Sequence, residues 1–400
     1  MLKHSAWRLG PPSRRVTSMC AASLIALLGG ATVEGGSGAI PASAPPNGEI
    51  GFVLSVFTPS VVNGKENCPN GLAGTVRENY LGTLPEAERT RLLLPANEVE
   101  LTRRWKASGM GPNNTNLCSN PEMFERANQR TVTSKVSRGL NLDDDTGNGS
   151  SNPDSCVHEN FTGANGEAGV DNQVYRALGC TRQYRSYDGL AGDIVNGYNK
   201  RVKSGETTMV ILIRNVQNLR NDDSVEVVMA TTGDRPVLDS QQKFVPDASY
   251  SVSDNPRWRN VLRGRIINGV LMTEPGEITL SQPWGQAGTG TRGNNMAWTF
   301  KKARMRLELQ PDGGIKGVLG GYEPIRTVIQ SSLAGGLGVI TVGGIDCAAN
   351  FHTLRRLADG IKDPKTGQCT AVSSGYDVEG VPAFVNDRPP SLAPAGGQTR

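Results

Sequence analysis

The sequence predicts a mainly β or α+β protein: an antiparallel β-sandwich or jelly-roll-like core with short peripheral helices, stapled by disulfides. Three observations carry that expectation. Residues 205–322 hold apolar runs and alternating segments separated by turn signals, helical spacing is confined to the flanks, and six cysteines remain once an export leader is set aside. The 49 glycines and 24 prolines among 400 residues are too many for a helical bundle. An apolar content of 37% is too high for general disorder.

Residues 1–39 read as a signal peptide. Lys3, Arg8, Arg14 and Arg15 precede a short apolar run, MCAASLIALL at 19–28, and small residues follow. A bilayer span needs about 20 apolar residues, and Gly29-Gly30 arrives first. Cleavage after Ala39 removes four bases and one acid (Glu34), leaving 38 basic and 37 acidic residues, a net of +1. That balance offers no electrostatic basis for a nucleic-acid partner. The expected location is secreted or periplasmic, with no transmembrane span after signal removal. Residues 40–50 (IPASAPPNGEI) form a linker, and 387–400 (DRPPSLAPAGGQTR) a disordered tail.

Three regions lie between. In 51–204, GFVLSVFTPSVV opens as a strand buried on both faces. Short helices are predicted over Pro85–Leu93 and Asn97–Lys106, the first with Pro85 at its first position and Glu86 and Glu88 near the positive end of the dipole. From Ser108 the chain turns rich in Asn, Gly and Asp. Residues 205–322 form the antiparallel β core, with Met209–Ile213 and Val225–Met229 as central strands. Ala303, Met305, Leu307 and Leu309 face one way there and Arg304, Arg306 and Glu308 the other, with turns at Asn268-Gly269 and Pro311–Gly314. Residues 323–386 read as helical. A short helix covers Pro324–Leu333, and a second places Cys347, Phe351, Leu354, Ala358 and Ile361 on one face before Gly360 or Asp363-Pro364 ends it.

Setting aside Cys20 in the leader, the cysteines are Cys68, Cys118, Cys156, Cys180, Cys347 and Cys369. An even number in an exported chain reads as disulfides. Loop closure favours near neighbours, Cys156–Cys180 and Cys347–Cys369, with Cys68–Cys118 by elimination, which puts two pairs in 51–204 and one in 323–386. There is no CxxC pair, and only His158 and His352 lie outside the leader, which weighs against a zinc site built on these cysteines and against haem.

The motifs that could carry chemistry are few. Gly288-Thr-Gly290-Thr-Arg-Gly293 matches a dinucleotide fingerprint by letter, but a Pro-Trp loop precedes it and a strand-like segment follows, so no nucleotide is expected. The acidic stretch with Asp143, Asp145 and Asp154 offers oxygens suited to Ca²⁺, with Asp171-Asn172-Gln173 as distant ligands; the competing reading is a solvated turn. His158 is the better functional histidine, set against plain structural hydrogen bonding, and the helical spacing places His352 in solvent. No GxSxG or HExxH is present outside the leader. For sugar stacking the candidates are Trp284 and Trp258, beside Trp298 and, upstream, Tyr184, Tyr187 and Tyr198; core packing is the plainer role for most of them. The expected function is an exported binding or cell-surface module, calcium-stabilised and directed at a saccharide or cell-envelope component, and more readily a binder than an enzyme. The alternatives are a glycan-active hydrolase using acidic residues, whose paired carboxylates leave no sequence signature, and a purely structural envelope protein.

Overall fold

Eight antiparallel strands close into a barrel. The computed structural model describes residues 40–387 apart from 127–128, 283–295 and 334–344; the predicted signal peptide, all but the first residue of the predicted tail, the Gly288–Gly293 motif and Trp284 lie outside the described residues. Along the chain the strands are β1 (Ile50–Pro59), β2 (Thr208–Arg214), β3 (Asn221–Thr232), β4 (Ala248–Ser251), β5 (Arg259–Ile267) and β6 (Val270–Thr273). They continue with β7 (Gly276–Gln282), β8 (Met296–Leu309), β9 (Ile315–Pro324), β10 (Gly360–Lys362) and β11 (Cys369–Asn386). The ring runs β1-β2-β3-β5-β6-β8-β9-β11 and returns to β1 through pairs from Phe52↔Pro382 to Pro59↔Tyr376. Three strands stand outside the ring: β4 adds in parallel to the end of β11, β7 pairs β8, and β10 pairs β11.

The sandwich or jelly-roll expectation is therefore overturned. One sheet curls and meets itself, and the strand alternation legible in the sequence is the same in either architecture. What separates the two is the β1–β11 pairing, made by residues at opposite ends of the chain, for which no local signal exists. Two ring strands, β1 and β11, also come from outside 205–322. Within β1 a register shift between Leu54 and Val56 resets the alternation, so that Phe52, Leu54 and Phe57 are all buried. The Asn268-Gly269 turn forms as expected, with φ of 52° and 79°, and joins β5 to β6.

Side chains fill the barrel. Phe57 on β1 and Trp298 on β8 sit with ring centroids 5.2 Å apart although their strands are not neighbours, so the contact crosses the interior. Tyr376 stacks on Phe57 at 5.2 Å and meets Trp298 edge-on at 4.8 Å. Beside them lies a buried carboxyl. Glu323 accepts from Trp298 Nε1 and Tyr376 Oη, both at 2.9 Å. Burial raises its pKa, against the pull of the hydrogen bonds from Trp298, Ser374 and Tyr376.

Both long excursions leave the same rim of the barrel, because Pro59 on β1 pairs with Tyr376 and Pro324 on β9 with Ala371 near the start of β11. The first, residues 60–207, carries α1 (Val76–Gly82), α2 (Glu86–Leu92), α3 (Glu98–Ala107), α4 (Gln173–Leu178) and α5 (Asp193–Ser204). The second carries α6 (Ile325–Leu333) and α7 (Cys347–Arg356). Together they form a cap. Thr75 and Glu78 start α1 with a capping box. α7 stops before Gly360 because the following backbone leaves for the sheet, where Gly360 pairs with Ala371 and Ser155. His352, expected in solvent, is partly buried and contacts the Phe124 carbonyl at 2.9 Å. Among the described residues no helix is long and apolar enough to cross a membrane.

The six described cysteines all pair, but none as expected. The bonds are Cys68–Cys180 within the first excursion, Cys118–Cys347 between the two excursions, and Cys156–Cys369 from the first excursion to the start of β11. Closure entropy grows only with the logarithm of loop length, so passing from about 25 residues to over 200 changes it by about 2 kcal/mol. Nearness in sequence thus discriminates weakly, and packing of the cap decides. Arg185 adds a polar clamp: fully buried, it donates to the carbonyls of Val62, Gly64, Gly179 and Gly189 and to Tyr175 Oη. Four carbonyl dipoles and a hydroxyl oxygen make such a buried charge tolerable.

Peptide mapping of the unreduced protein should recover the 68/180, 118/347 and 156/369 linkages; recovery of Cys156 with Cys180 refutes this arrangement. A carboxyl with a raised folded pKa stabilises below the ordinary carboxylate range and loses that contribution as pH climbs through the raised value. Glu323→Gln should therefore flatten the fall in melting temperature as pH climbs above the ordinary carboxylate range. Parallel melting profiles for the two proteins contradict the assignment.

Candidate functional site

Residues 138–172, irregular in conformation, and the start of α4 lie against β9 and β11: Leu142 packs with Tyr322 and Ala371, and Ser373 Oγ accepts from Gln173 N–H. Two backbone bridges and one ion pair hold that segment. Leu140 and Asp171 form a bridge, Phe161 and Val170 another, and the Arg304 guanidinium on β8 grips the Asp144 carboxylate at 2.6 and 2.7 Å while donating to the Asn141 carbonyl. The Cys156–Cys369 bond anchors its middle to β11.

Within this layer Asp143, His158 and Asp171 converge, one ligand-type atom of each lying within 4.8 Å of the others. His158 Nδ1 meets the Cys156 carbonyl at 2.7 Å, and Nε2 meets Asp171 Oδ1 at 2.8 Å. Asp171 Oδ2 accepts from Leu142 N–H at 2.7 Å, and Asp143 Oδ1 from Asp145 N–H at 2.9 Å. Asp359 stands beside them, its Oδ1 accepting from Ser373 N–H. Asp143 is only 3% exposed and Asp359 fully buried, yet Asp143 Oδ2 and Asp359 Oδ2 have no hydrogen-bond partner. Asn141 Oδ1 and Asn160 Oδ1, from the same segment, are likewise buried and unpartnered. Four such oxygens along one loop and its neighbour mark a region short of positive charge or donors.

Electrostatics agree. Burial alone would lower the His158 pKa, but the hydrogen bond to Asp171, the charge of Asp359 and the Cys156 carbonyl push it up to about 9. Burial pushes Asp359 up to about 7, with His158 opposing and Asp171 reinforcing, and burial also raises Asp171. Three buried carboxyls thus share one imidazole. The His158 side chain is 4% exposed and that of Asp171 fully buried.

Of the three clustered acids singled out by sequence, Asp143, Asp145 and Asp154, only Asp143 joins this group. Asp145 spends its two oxygens on the N–H groups of Gly147 and Ser151, and Asp154 pairs with Lys302 at the surface. Asp171, a distant candidate, is central; Asn172 instead caps α4, and Gln173 bonds the Glu159 carbonyl. Trp258 is buried to 5% exposure against Arg257. Asp359 carries no sequence signal, since a single Asp after a helix is ordinary.

The cap also holds an open polar cleft of about 510 Å³, within the range of small-ligand sites. Glu78 and Asn79 of α1 line it together with Gln129, Arg130, Arg182 and Tyr187. Tyr187 is 70% exposed, with the Arg182 guanidinium 5.2 Å from its ring centre. Its floor, Leu72–Gly74, is fixed by Ala73 N–H donating to the Cys180 carbonyl beside the first disulfide. Comparison with protein-family models, curated proteins and solved structures finds no match to this chain.

Gly149 has φ of +76°, and a Cβ there would lie 2.6 Å from the His158 ring. Gly149→Ala should cost about 1–2 kcal/mol or more in urea denaturation, from left-handed backbone strain plus displacement of the imidazole. A change within about 0.5 kcal/mol, the scale of an ordinary surface substitution, would remove His158 from that position.

Proposed function

We propose that the protein is exported and works in an oxidising extracytoplasmic space, secreted or periplasmic, as a binding module whose cap cleft takes a small polyhydroxylated ligand of the saccharide class. The cleft's composition carries this reading. Asn79, Gln129, Arg130 and Arg182 offer planar amide and guanidinium groups that suit neighbouring hydroxyls. The exposed Tyr187 ring supplies an apolar face for the C–H surface of a sugar. The pairing of all six described cysteines supports an oxidising compartment.

Binding is favoured over hydrolysis by the state of the acids. Glycoside hydrolysis uses two carboxyls about 5–10 Å apart. Among the described lining residues Glu78 is the single acid, and it is occupied, accepting from Thr75 N–H at 2.7 Å and pairing with Arg182 at 2.9 Å. These contacts hold its pKa below the ordinary value although burial opposes them.

An array of soluble oligosaccharides probed with the full chain tests the proposal. At least one should be retained by the wild type, and Tyr187→Ala should weaken that binding about tenfold or more, as expected for an aromatic anchor. Retention of none, or equal retention by the variant, overturns it.

A further inference from the structure

We propose that Asp143, His158 and Asp171 bind one divalent transition-metal ion, which locks residues 138–173 onto the barrel wall. This stands independently of the cleft reading. It rests first on the convergence of three ligand atoms within 4.8 Å. It rests second on hydrogen-bond logic at the imidazole. A carbonyl oxygen only accepts, so His158 Nδ1 must carry a proton toward Cys156, and in the neutral ring Nε2 is then a bare lone pair. That lone pair faces Asp171 Oδ1, another acceptor, at 2.8 Å. Two acceptors at that distance need a cation between them. A proton serves at that distance, and a metal serves after a small opening of the pair: two ligands each about 2.1 Å from one ion lie about 3.0 Å apart at a right angle and about 3.4 Å apart in tetrahedral geometry.

The third observation selects the metal. Asp143 Oδ2 is buried and unpartnered, and so supplies an oxygen whose lone pairs no protein donor satisfies. A proton shared by His158 and Asp171 leaves that oxygen stranded, whereas an ion among the three groups satisfies it. The remaining contacts are those that orient ligands from outside: the Cys156 carbonyl on Nδ1, Leu142 N–H on Asp171 Oδ2 and Asp145 N–H on Asp143 Oδ1. An imidazole with two carboxylates suits Zn²⁺ and its first-row neighbours better than Ca²⁺, which takes six to eight oxygens. The centre therefore differs in both ligands and ion from the Asp143, Asp145 and Asp154 calcium site expected from sequence.

The full chain, stripped with chelator and dialysed against Zn²⁺ or Ca²⁺ alone, decides the matter by metal analysis and thermal melting. One equivalent of Zn²⁺ should be retained, with a higher melting temperature. His158→Gln and Asp143→Asn should each weaken Zn²⁺ binding beyond the roughly 10–100-fold typical of an orienting residue, while Asp154→Asn keeps full occupancy. Retention of Ca²⁺ but not Zn²⁺, retention of neither, or unchanged Zn²⁺ affinity in folded Asp143→Asn overturns the proposal. The wild-type measurement stands alone should a variant fail to fold.

Discussion

Pairing of β1 with β11 is the constraint from which the rest of the architecture follows. It joins the two ends of the folded chain and removes the free edges that an open sheet would present. With the ring closed, strand direction dictates where the chain can leave it. The first excursion departs after β1 and the second after β9, and antiparallel order brings both exits to one rim. All seven described α-helices consequently lie in, or at the end of, these two excursions. An eight-stranded barrel is just wide enough for side chains, and here Phe57, Trp298, Phe300 and Tyr376 occupy the interior. The open cleft and the acid–imidazole centre are both outside it.

The cap has too little regular structure to organise itself by backbone hydrogen bonding alone. It relies on cross-links and on buried polar groups. Two disulfides tie the first excursion to the second or to β11, and Arg185 gathers four carbonyls from two separate stretches. Each proposed site borrows one of these fixtures. The cleft floor hangs from Cys180, and the carbonyl that orients His158 belongs to Cys156. Reducing the disulfides would thus loosen the same groups that hold the sites. Burial of Asp143, Asp171 and Asp359 is sustainable only where the surroundings are held firmly enough for dipoles, imidazole or a metal ion to compensate.

Much of the local structure was legible. The hairpin at Asn268-Gly269, the alternation along 303–309 and helices near 86–92, 98–107 and 325–333 follow from turn chemistry and side-chain period, which act over a few residues. The candidate centre was legible only in part. Asp143, His158 and Asp171 stood out as an acid in a polar loop, a scarce histidine and a distant acid, but nothing in their spacing joined them. Asp145 and Asp154 looked equivalent to Asp143 by composition. They differ because Asp145 engages both oxygens with backbone N–H groups and Asp154 meets Lys302, whereas Asp143 engages one oxygen and keeps the other buried without a partner.

Composition and short-range pattern alone determined that the chain is rich in strands, that the six cysteines beyond the predicted leader suffice for three pairs, and where several of the strands, turns and helices lie. These depend on interactions between residues close in the chain. Tertiary structure decided the closure of the sheet, the partner of each cysteine and the meeting of three side chains beneath the cap. Those outcomes turn on which distant surfaces fit together. Differences in loop entropy of about 2 kcal/mol are too small to choose among them, and packing of whole elements does.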